Sequence, residues 1–203
     1  MKYLKQFESF SEDKILIIVD VQKSFKKFFN DRYLSELNKY CKEFSKVYQI
    51  WDNHSDGKNP DTDFQYEERP DIENKDDLYK WNNQTDIIEK RYNYDVDVDF
   101  YKKILDQNTF NHIKSKENSL KQGDSFKTTE DTIIVFIGNN HKWFHCPKKL
   151  YDLFLTLKGK EVVMVGGADD ECLEDLMVTA KILGVNLMEN KRYIYSAHNC
   201  PIK

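Results

Sequence analysis

The apolar run at residues 15–19, with the sequence Ile-Leu-Ile-Ile-Val, ends directly at Asp20. Its β-branched side chains favour an extended backbone, and they leave no polar face that could point to solvent. A strand of this kind must be covered on both faces, as in a parallel sheet that has helices on either side. The run therefore predicts an interior strand of an α/β domain.

Further strand and helix patterns alternate along the rest of the chain. Apolar runs predict strands at residues 47–51, 87–90, 132–137, 161–165, 185–188 and 193–195. Helical spacing of apolar residues predicts helices at residues 33–44, 147–157 and 172–183, and one or two helical turns between residues 100 and 113. Residues 52–85 and 111–131 are polar and are predicted to be loops. The alternation predicts an α/β/α fold of three layers, with a mostly parallel, doubly wound, Rossmann-like sheet in the middle.

The size and charge of the chain limit its class. The 203 residues suit one domain, residues 1–203, since a chain of this length buries roughly 70% of its unfolded surface on folding. The 31 basic and 35 acidic residues are interspersed, which argues against a nucleic-acid partner. Residues 1–14 are polar, and no apolar run approaches the ~20 residues of a membrane span. We therefore expect a cytoplasmic protein that does not bind a membrane and that keeps its four cysteines reduced.

Four polar side chains each end or closely follow a predicted strand: Asp20, Asp52, Lys90 and Cys172. In an open parallel sheet the carboxyl ends of the strands lie at one edge, where reactive groups gather. A carboxylate can accept a thiol proton, an ammonium group can stabilise the resulting charge, and a thiolate can attack a carbonyl carbon. These positions predict the site of a covalent hydrolase.

Cys172 is predicted to lie where a strand turns into a helix. The unpaired N–H groups of a first helical turn favour thiolate over thiol at such a position. Asp169, three residues earlier, has the opposite effect, because repulsion between like charges raises the pKa of a thiol. The sequence leaves open which effect is larger.

Three stretches of the chain, taken in order, resemble the isochorismatase-like cysteine hydrolases, the family that includes the nicotinamidases. Residues 17–25 look like the family's apolar strand that ends in Asp-x-Gln with a nearby Phe. Residues 87–92 look like its short strand that ends in a Lys. Residues 166–172, with the sequence Gly-Gly-Ala-Asp-Asp-Glu-Cys, look like its nucleophile segment, although Asp169 stands where the family usually has Thr.

The resemblance implies a catalytic triad. In that arrangement Cys172 is the nucleophile that forms an acyl-enzyme from a small amide or related C–N substrate, Asp20 is the general base and Lys90 is its cationic partner. Backbone N–H groups near Cys172 form the oxyanion hole, with a cis peptide bond between Gly167 and Ala168. The implied substrate pocket consists of Gln22, Phe25, Trp51 and His54. Members of the family are often dimers or tetramers, so the resemblance also implies a homo-oligomer.

The region between Lys90 and Cys172 is longer than the family usually has. The excess length predicts an insertion at about residues 95–132, between the third strand and the nucleophile strand. Lys142, which follows the strand predicted at residues 132–137, is an alternative to Lys90 as the catalytic lysine.

A metal site is an open alternative after the second strand. Asp52 and His54 resemble the Asp-x-His with which nicotinamidases ligate a divalent ion such as zinc, but the family's further histidines have no counterpart here. Two ligands do not make a zinc site. We therefore predict that no cofactor is required, and the pair fits a pocket or a loop cap equally well.

A protein of the same fold that binds a partner without catalysis is the second functional hypothesis, and Asp169 in place of Thr favours it. A dinucleotide-binding domain is disfavoured, because no Gly-x-Gly-x-x-Gly follows the first strand to approach a phosphate.

Overall fold

A computed structural model of the chain describes residues 14–52, 75, 78–90, 106–127, 132–138, 142–167, 169 and 172–196. Its strands are β1 (Ile15–Val19), β2 (Lys46–Asp52), β3 (Gln84–Lys90), β4 (Ser125–Lys127), β5 (Thr132–Gly138), β6 (Lys142–Pro147), β7 (Val162–Gly167) and β8 (Leu187–Tyr195). Its α-helices are α1 (Asp31–Tyr40), α2 (Gln107–Lys116), α3 (Lys148–Thr156) and α4 (Cys172–Ile182). Short 3-10 segments occupy Lys23–Phe28, Cys41–Glu43 and Glu117–Ser119.

Five of the strands form a parallel sheet in the order β3-β2-β1-β7-β8. The chain places β2 and β3 on one side of β1 and then β7 and β8 on the other, so the direction of winding reverses between β1 and β7. The carboxyl ends of the strands on either side of such a reversal border a crevice, because the helices that follow them leave toward opposite faces of the sheet.

Helices cover both faces of this sheet, which confirms a three-layer α/β architecture. On one face, α3 and α4 contribute side chains such as Leu153 and Leu176 to a core with Ile17 and Met164 of the central strands. On the other face, Leu37 of α1 belongs to a second core with alternate residues of the same strands. The predicted strand at residues 15–19 is buried at every position, as a strand between two helical layers must be.

The strand predicted at residues 132–137 exists but belongs to a second sheet. There β5 pairs antiparallel with β4 and with β6, in the order β4-β5-β6. Alternate residues of β5 enter two cores: Ile133 and Val135 join the core of α3 and α4, while Ile134 and Phe136 pack with α2. Because β5 is buried on both faces, its sequence is as continuously apolar as that of a parallel strand, although its hydrogen-bonding neighbours are antiparallel.

The loop prediction for residues 111–131 was wrong at residues 111–119 and 125–127, while residues 120–124 are a turn and residues 128–131 lie outside the described residues. Helix α2 runs to Lys116, and β4 follows at Ser125–Lys127. Phe110 and Ile113 of α2 are buried against the second sheet, and this contact supports a helix in a segment that is polar on its other side. Helix α2 and β4 lie within residues 95–132, whereas β5 and β6 extend the second sheet to Pro147.

The last two predicted strands form one. Strand β8 runs from Leu187 to Tyr195, and its register against β7 shifts between Met164 and Gly166. The irregularity brings Tyr195 opposite Gly167, next to the start of the β7–α4 connection.

Among the described residues, no helix has the length and apolar character needed to cross a membrane.

Candidate active site

Asp20 and Lys90 form a buried ion pair at the carboxyl edge of the parallel sheet. Asp20 directly follows β1, and Lys90 is the last residue of β3, two strands away. The Lys90 ammonium donates a hydrogen bond to Asp20 Oδ2, and the two side chains are only 2% and 1% exposed. Charged side chains are seldom buried to this degree unless they are paired, and buried ionisable groups are concentrated at functional sites.

The thiol of Cys172 completes this group from the opposite side of β1. Cys172 is the first residue of α4, which follows β7, the other neighbour of β1. Its thiol lies close enough to both Asp20 and Lys90 for their charges to change its pKa. The structure thus brings together the three residues predicted as a triad, and it does so at the reversal point between β1 and β7. Lys90 is a lysine that pairs with Asp20, whereas the side chain of the alternative, Lys142 at the start of β6, lies outside the part of the structure that is described.

Burial raises the pKa of the Cys172 thiol to about 12. The Lys90 ammonium lowers this pKa and the Asp20 carboxylate raises it, but removal from water has the largest effect. The sequence left open whether the helix start or a nearby carboxylate has the larger effect on this pKa, and in the structure neither outweighs the removal of the thiol from water. The resting group is therefore a thiol that needs a base.

Asp20 can be that base. Burial raises its pKa above the usual value, the Lys90 ammonium opposes the rise, and the nearby Asp52 carboxylate adds to it. A carboxylate whose pKa is raised accepts a proton more readily than an ordinary surface carboxylate. The electrostatics of the pair therefore suit proton transfer from the thiol.

The backbone at Asp20 adopts a conformation that is rare for a residue with a side chain. Its φ is +51°, in the left-handed region. The Asp20 N–H donates to the Ile50 carbonyl at 2.9 Å, and the Asp20 carbonyl accepts from the Gln22 N–H at 3.0 Å. Such a conformation costs about 1–3 kcal/mol and is often found where a side chain must be aimed at a functional site. Here it turns the Asp20 carboxylate toward Lys90 and Cys172.

Gln22, predicted to line a pocket, binds the main chain of β2. Its Nε2 donates to the Asp52 carbonyl at 2.8 Å, and its Oε1 accepts from the Asp52 N–H at 3.1 Å. These two bonds join the end of β1 to the end of β2. Of the other predicted pocket residues, Trp51 is buried at the end of β2, and Phe25 is half-buried with its ring centroid 6.3 Å from that of Phe28.

The metal and oxyanion predictions fall partly outside the described residues. His54 and Ala168 both lie there, so the Asp52–His54 pair and the Gly167–Ala168 peptide have no structural account. Within the part of the chain that the structure describes, no three His, Cys, Asp or Glu side chains are grouped as a metal site. Asp52 alone is not a ligand set for a divalent ion.

An open cavity of about 530 Å³ lies between α4 and β8. Asp169, Glu174, Lys181 and Glu189 are among the residues that line it, and Asp20, Lys90 and Cys172 are not. The buried Asp20–Lys90 pair and the adjacent Cys172, rather than this surface cavity, mark the candidate site.

Sequence reasoning missed two residues that contact the site. The Tyr195 hydroxyl donates to the Asp20 carbonyl at 2.7 Å, and Gly166 lies against the main chain of Val19. The sequence signal for Gly166 is the Gly-Gly pair at the end of an apolar run. The signal for Tyr195 is weaker, since only the strand pairing with β7 shows that it lies beside Asp20.

Comparisons of the chain with protein-family models, with curated proteins and with solved structures found no match. The case for a function therefore depends on the arrangement of the chain's own residues.

Proposed function

We propose that this protein is a cysteine-dependent hydrolase of the isochorismatase-like type, which cleaves a small amide or related C–N bond through a covalent acyl-enzyme. The observation that supports this most strongly is the buried Asp20–Lys90 ion pair at the carboxyl edge of the sheet, with the partly buried Cys172 thiol beside it. A buried carboxylate–ammonium pair beside a thiol is not needed to stabilise this fold, and together the three groups provide a base, a charge stabiliser and a nucleophile.

The proposed reaction begins with transfer of the thiol proton from Cys172 to Asp20. The thiolate attacks the carbonyl carbon of the amide, and main-chain N–H groups near the start of α4 stabilise the oxyanion. The tetrahedral intermediate collapses as the amine leaves with the proton from Asp20. Asp20 then deprotonates a water molecule, which attacks the thioester, releases the carboxylic acid and restores the thiol.

Lys90 has two functions in this scheme. Its ammonium group lowers the pKa of Cys172, which offsets part of the cost of forming a thiolate away from water. It also holds the Asp20 carboxylate by a charge-assisted hydrogen bond, so that the base remains in place between proton transfers. In line with the resemblance, we further propose that the enzyme is a cytoplasmic homo-oligomer.

Replacing Cys172 with alanine should lower turnover by at least about 10³-fold, because loss of a nucleophile removes the covalent route. The measurement is ammonia or amine release from a panel of small amides, with nicotinamide among them. Cys41→Ala is the matched control, since Cys41 is a buried free cysteine packed against α1 on the far face of the sheet. We expect that control to keep near-native turnover. Retention of hydrolysis by Cys172→Ala would refute the nucleophile assignment.

The high pKa of the thiol favours a second candidate, a protein of this fold that binds a partner without catalysis. In that case Asp20 and Lys90 stabilise the fold, and no amide is turned over. The two functions separate by experiment, because only the enzyme forms a transient mass adduct at Cys172 when an amide substrate is added.

A further inference from the structure

Tyr195 forms hydrogen bonds with the main chain of Asp20 and with that of Asp169, three residues before Cys172. It is the last residue of β8, and its side chain is only 3% exposed. Its hydroxyl donates a hydrogen bond of 2.7 Å to the main-chain carbonyl of Asp20. Its own main-chain carbonyl accepts a hydrogen bond of 3.1 Å from the N–H of Asp169, in the connection that leads to Cys172. One residue therefore fixes the main chain on both sides of the candidate site.

The ring of Tyr195 is held in a single orientation. It lies directly against Gly167, where an added Cβ would be 2.5 Å from Tyr195 Cε2. On another side the ring of Phe28 stacks on it, with centroids 5.8 Å apart and an interplanar angle of 7°. Packing of this kind fixes the direction of the hydroxyl, so the bond to Asp20 is formed at little further cost in side-chain freedom.

The Asp20 main chain needs such support because its φ is +51°. Its N–H donates to Ile50 of the neighbouring strand β2, and its carbonyl accepts from the N–H of Gln22 within the turn itself. The Tyr195 hydroxyl is the contact from the β7–β8 side of the sheet, the side that carries Cys172. Loss of this bond leaves the turn free to relax away from the thiol while its link to β2 remains.

We infer that Tyr195 is a positioning residue, whose hydroxyl holds the left-handed turn at Asp20 so that the carboxylate faces both Lys90 and Cys172. The inference rests on the proposed function for its chemical meaning, since it assigns Asp20 the role of base. It also explains why the buried Tyr195 hydroxyl donates to the main-chain carbonyl of Asp20 instead of to a side chain.

Tyr195→Phe removes the hydroxyl and keeps the ring, and Tyr33→Phe is its matched control. Tyr33 is also buried, at 5% exposed, and its hydroxyl also donates to a main-chain carbonyl, that of Tyr193, at 2.9 Å. The two variants lose the same kind of bond, but only one of the bonds reaches Asp20. Differences between them therefore report on the site rather than on general stability.

The readout is the rate at which iodoacetamide alkylates Cys172, followed by peptide mass spectrometry from pH 6 to pH 11, with Asp20→Asn as the reference. We expect Tyr195→Phe to shift the pH profile in the same direction as Asp20→Asn and by a smaller amount, and Tyr33→Phe to match the native profile. With an amide substrate, kcat should fall about 10-fold in Tyr195→Phe, the effect of a misplaced base, while KM changes less than about twofold.

A Tyr195→Phe profile that coincides with the native and Tyr33→Phe profiles, while Asp20→Asn differs, would overturn the positioning role and leave the proposed function intact. If Asp20→Asn itself had no effect, the proposed base would fail instead. Phe28→Leu provides a second test should Tyr195→Phe not fold, because it frees the ring of its stacking partner and keeps the hydroxyl. It should shift the profile in the same direction, and an unchanged profile would count against the inference.

Discussion

The variant Lys90→Met is expected to lose about 3–5 kcal/mol of its free energy of unfolding, because it leaves the Asp20 carboxylate buried without its cation. Asp20 can relieve part of this cost by taking up a proton, since burial alone already raises its pKa. A folded-state pKa above the unfolded value makes stability fall as pH rises through the interval between them. The deficit of Lys90→Met relative to the native protein should therefore be larger at pH 8 than at pH 5.

Urea unfolding followed by circular dichroism measures this loss. The matched control is Lys149→Met, which breaks the ion pair between α3 and Asp86 at the start of β3, where Lys149 Nζ lies 2.7 Å from Asp86 Oδ2. Lys149 is 55% exposed, so we expect that variant to lose no more than about 1 kcal/mol. The double variant Asp20→Asn with Lys90→Met should recover part of the loss, since it leaves no unpaired charge. Equal losses in the two lysine variants would contradict a buried pair.

Gly166→Ala is expected to destabilise the protein by more than about 4 kcal/mol, an unusually large effect for the addition of one methyl group. Gly166 has a φ of +107°, and an added Cβ would lie 2.0 Å from the Val19 carbonyl oxygen. Strand β7 could accommodate that group only by moving away from β1, its partner through Val19 and Gly166. Since Asp20 and Cys172 follow these two strands, the movement would also separate the base from the thiol.

Gly159→Ala separates the two causes of that loss. Gly159 also has a positive φ, +75°, but an added Cβ there has no atom within 4 Å. Its substitution should cost about 1–2 kcal/mol, the usual penalty for a side chain in the left-handed region. The comparison uses thermal unfolding of both variants together with ammonia release. If Gly166→Ala were as stable as Gly159→Ala, the close contact between β1 and β7 would be disproved.

The sequence alone predicted that the candidate residues lie together, because the carboxyl ends of parallel strands lie at one edge of a sheet. The apolar runs that end at Asp20 and Lys90, and the run before Cys172, became β1, β3 and β7 of a single parallel sheet. Their carboxyl ends necessarily share an edge, which is why residues far apart in the chain could be placed together. The helix that begins at Cys172 was predicted by the spacing of its apolar residues, and it begins and ends close to the predicted bounds.

The sequence did not reveal the second sheet, for a physical reason. A strand buried on both faces has the same apolar pattern whether its neighbours run parallel or antiparallel, and β5 is buried on both faces. The hydrogen-bonding partner of a strand depends on the register of distant segments, and that information is not present in a local pattern.

The effect of burial on the pKa values of the site could not be predicted from the sequence either. The sequence showed two opposing effects on the pKa of the Cys172 thiol, a helix start and the nearby Asp169, but this pKa also depends on how much water the folded chain excludes. Gln22 looked like a pocket residue, yet its amide satisfies both main-chain groups of Asp52. The sequence did not predict a contact between Tyr195 and Asp20, because that contact depends on the pairing of β8 with β7 and on a hydrogen bond of the Tyr195 hydroxyl.

The most direct test of the coupled Asp20–Lys90–Cys172 group is the pH dependence of Cys172 alkylation in the native protein and in Asp20→Asn. Burial should place the native midpoint well above the value of about 8.5 for a free cysteine, and neutralising Asp20 should lower it, since the carboxylate raises the pKa of the thiol. A native midpoint at the free-cysteine value that does not move in Asp20→Asn would show that the three groups do not act together.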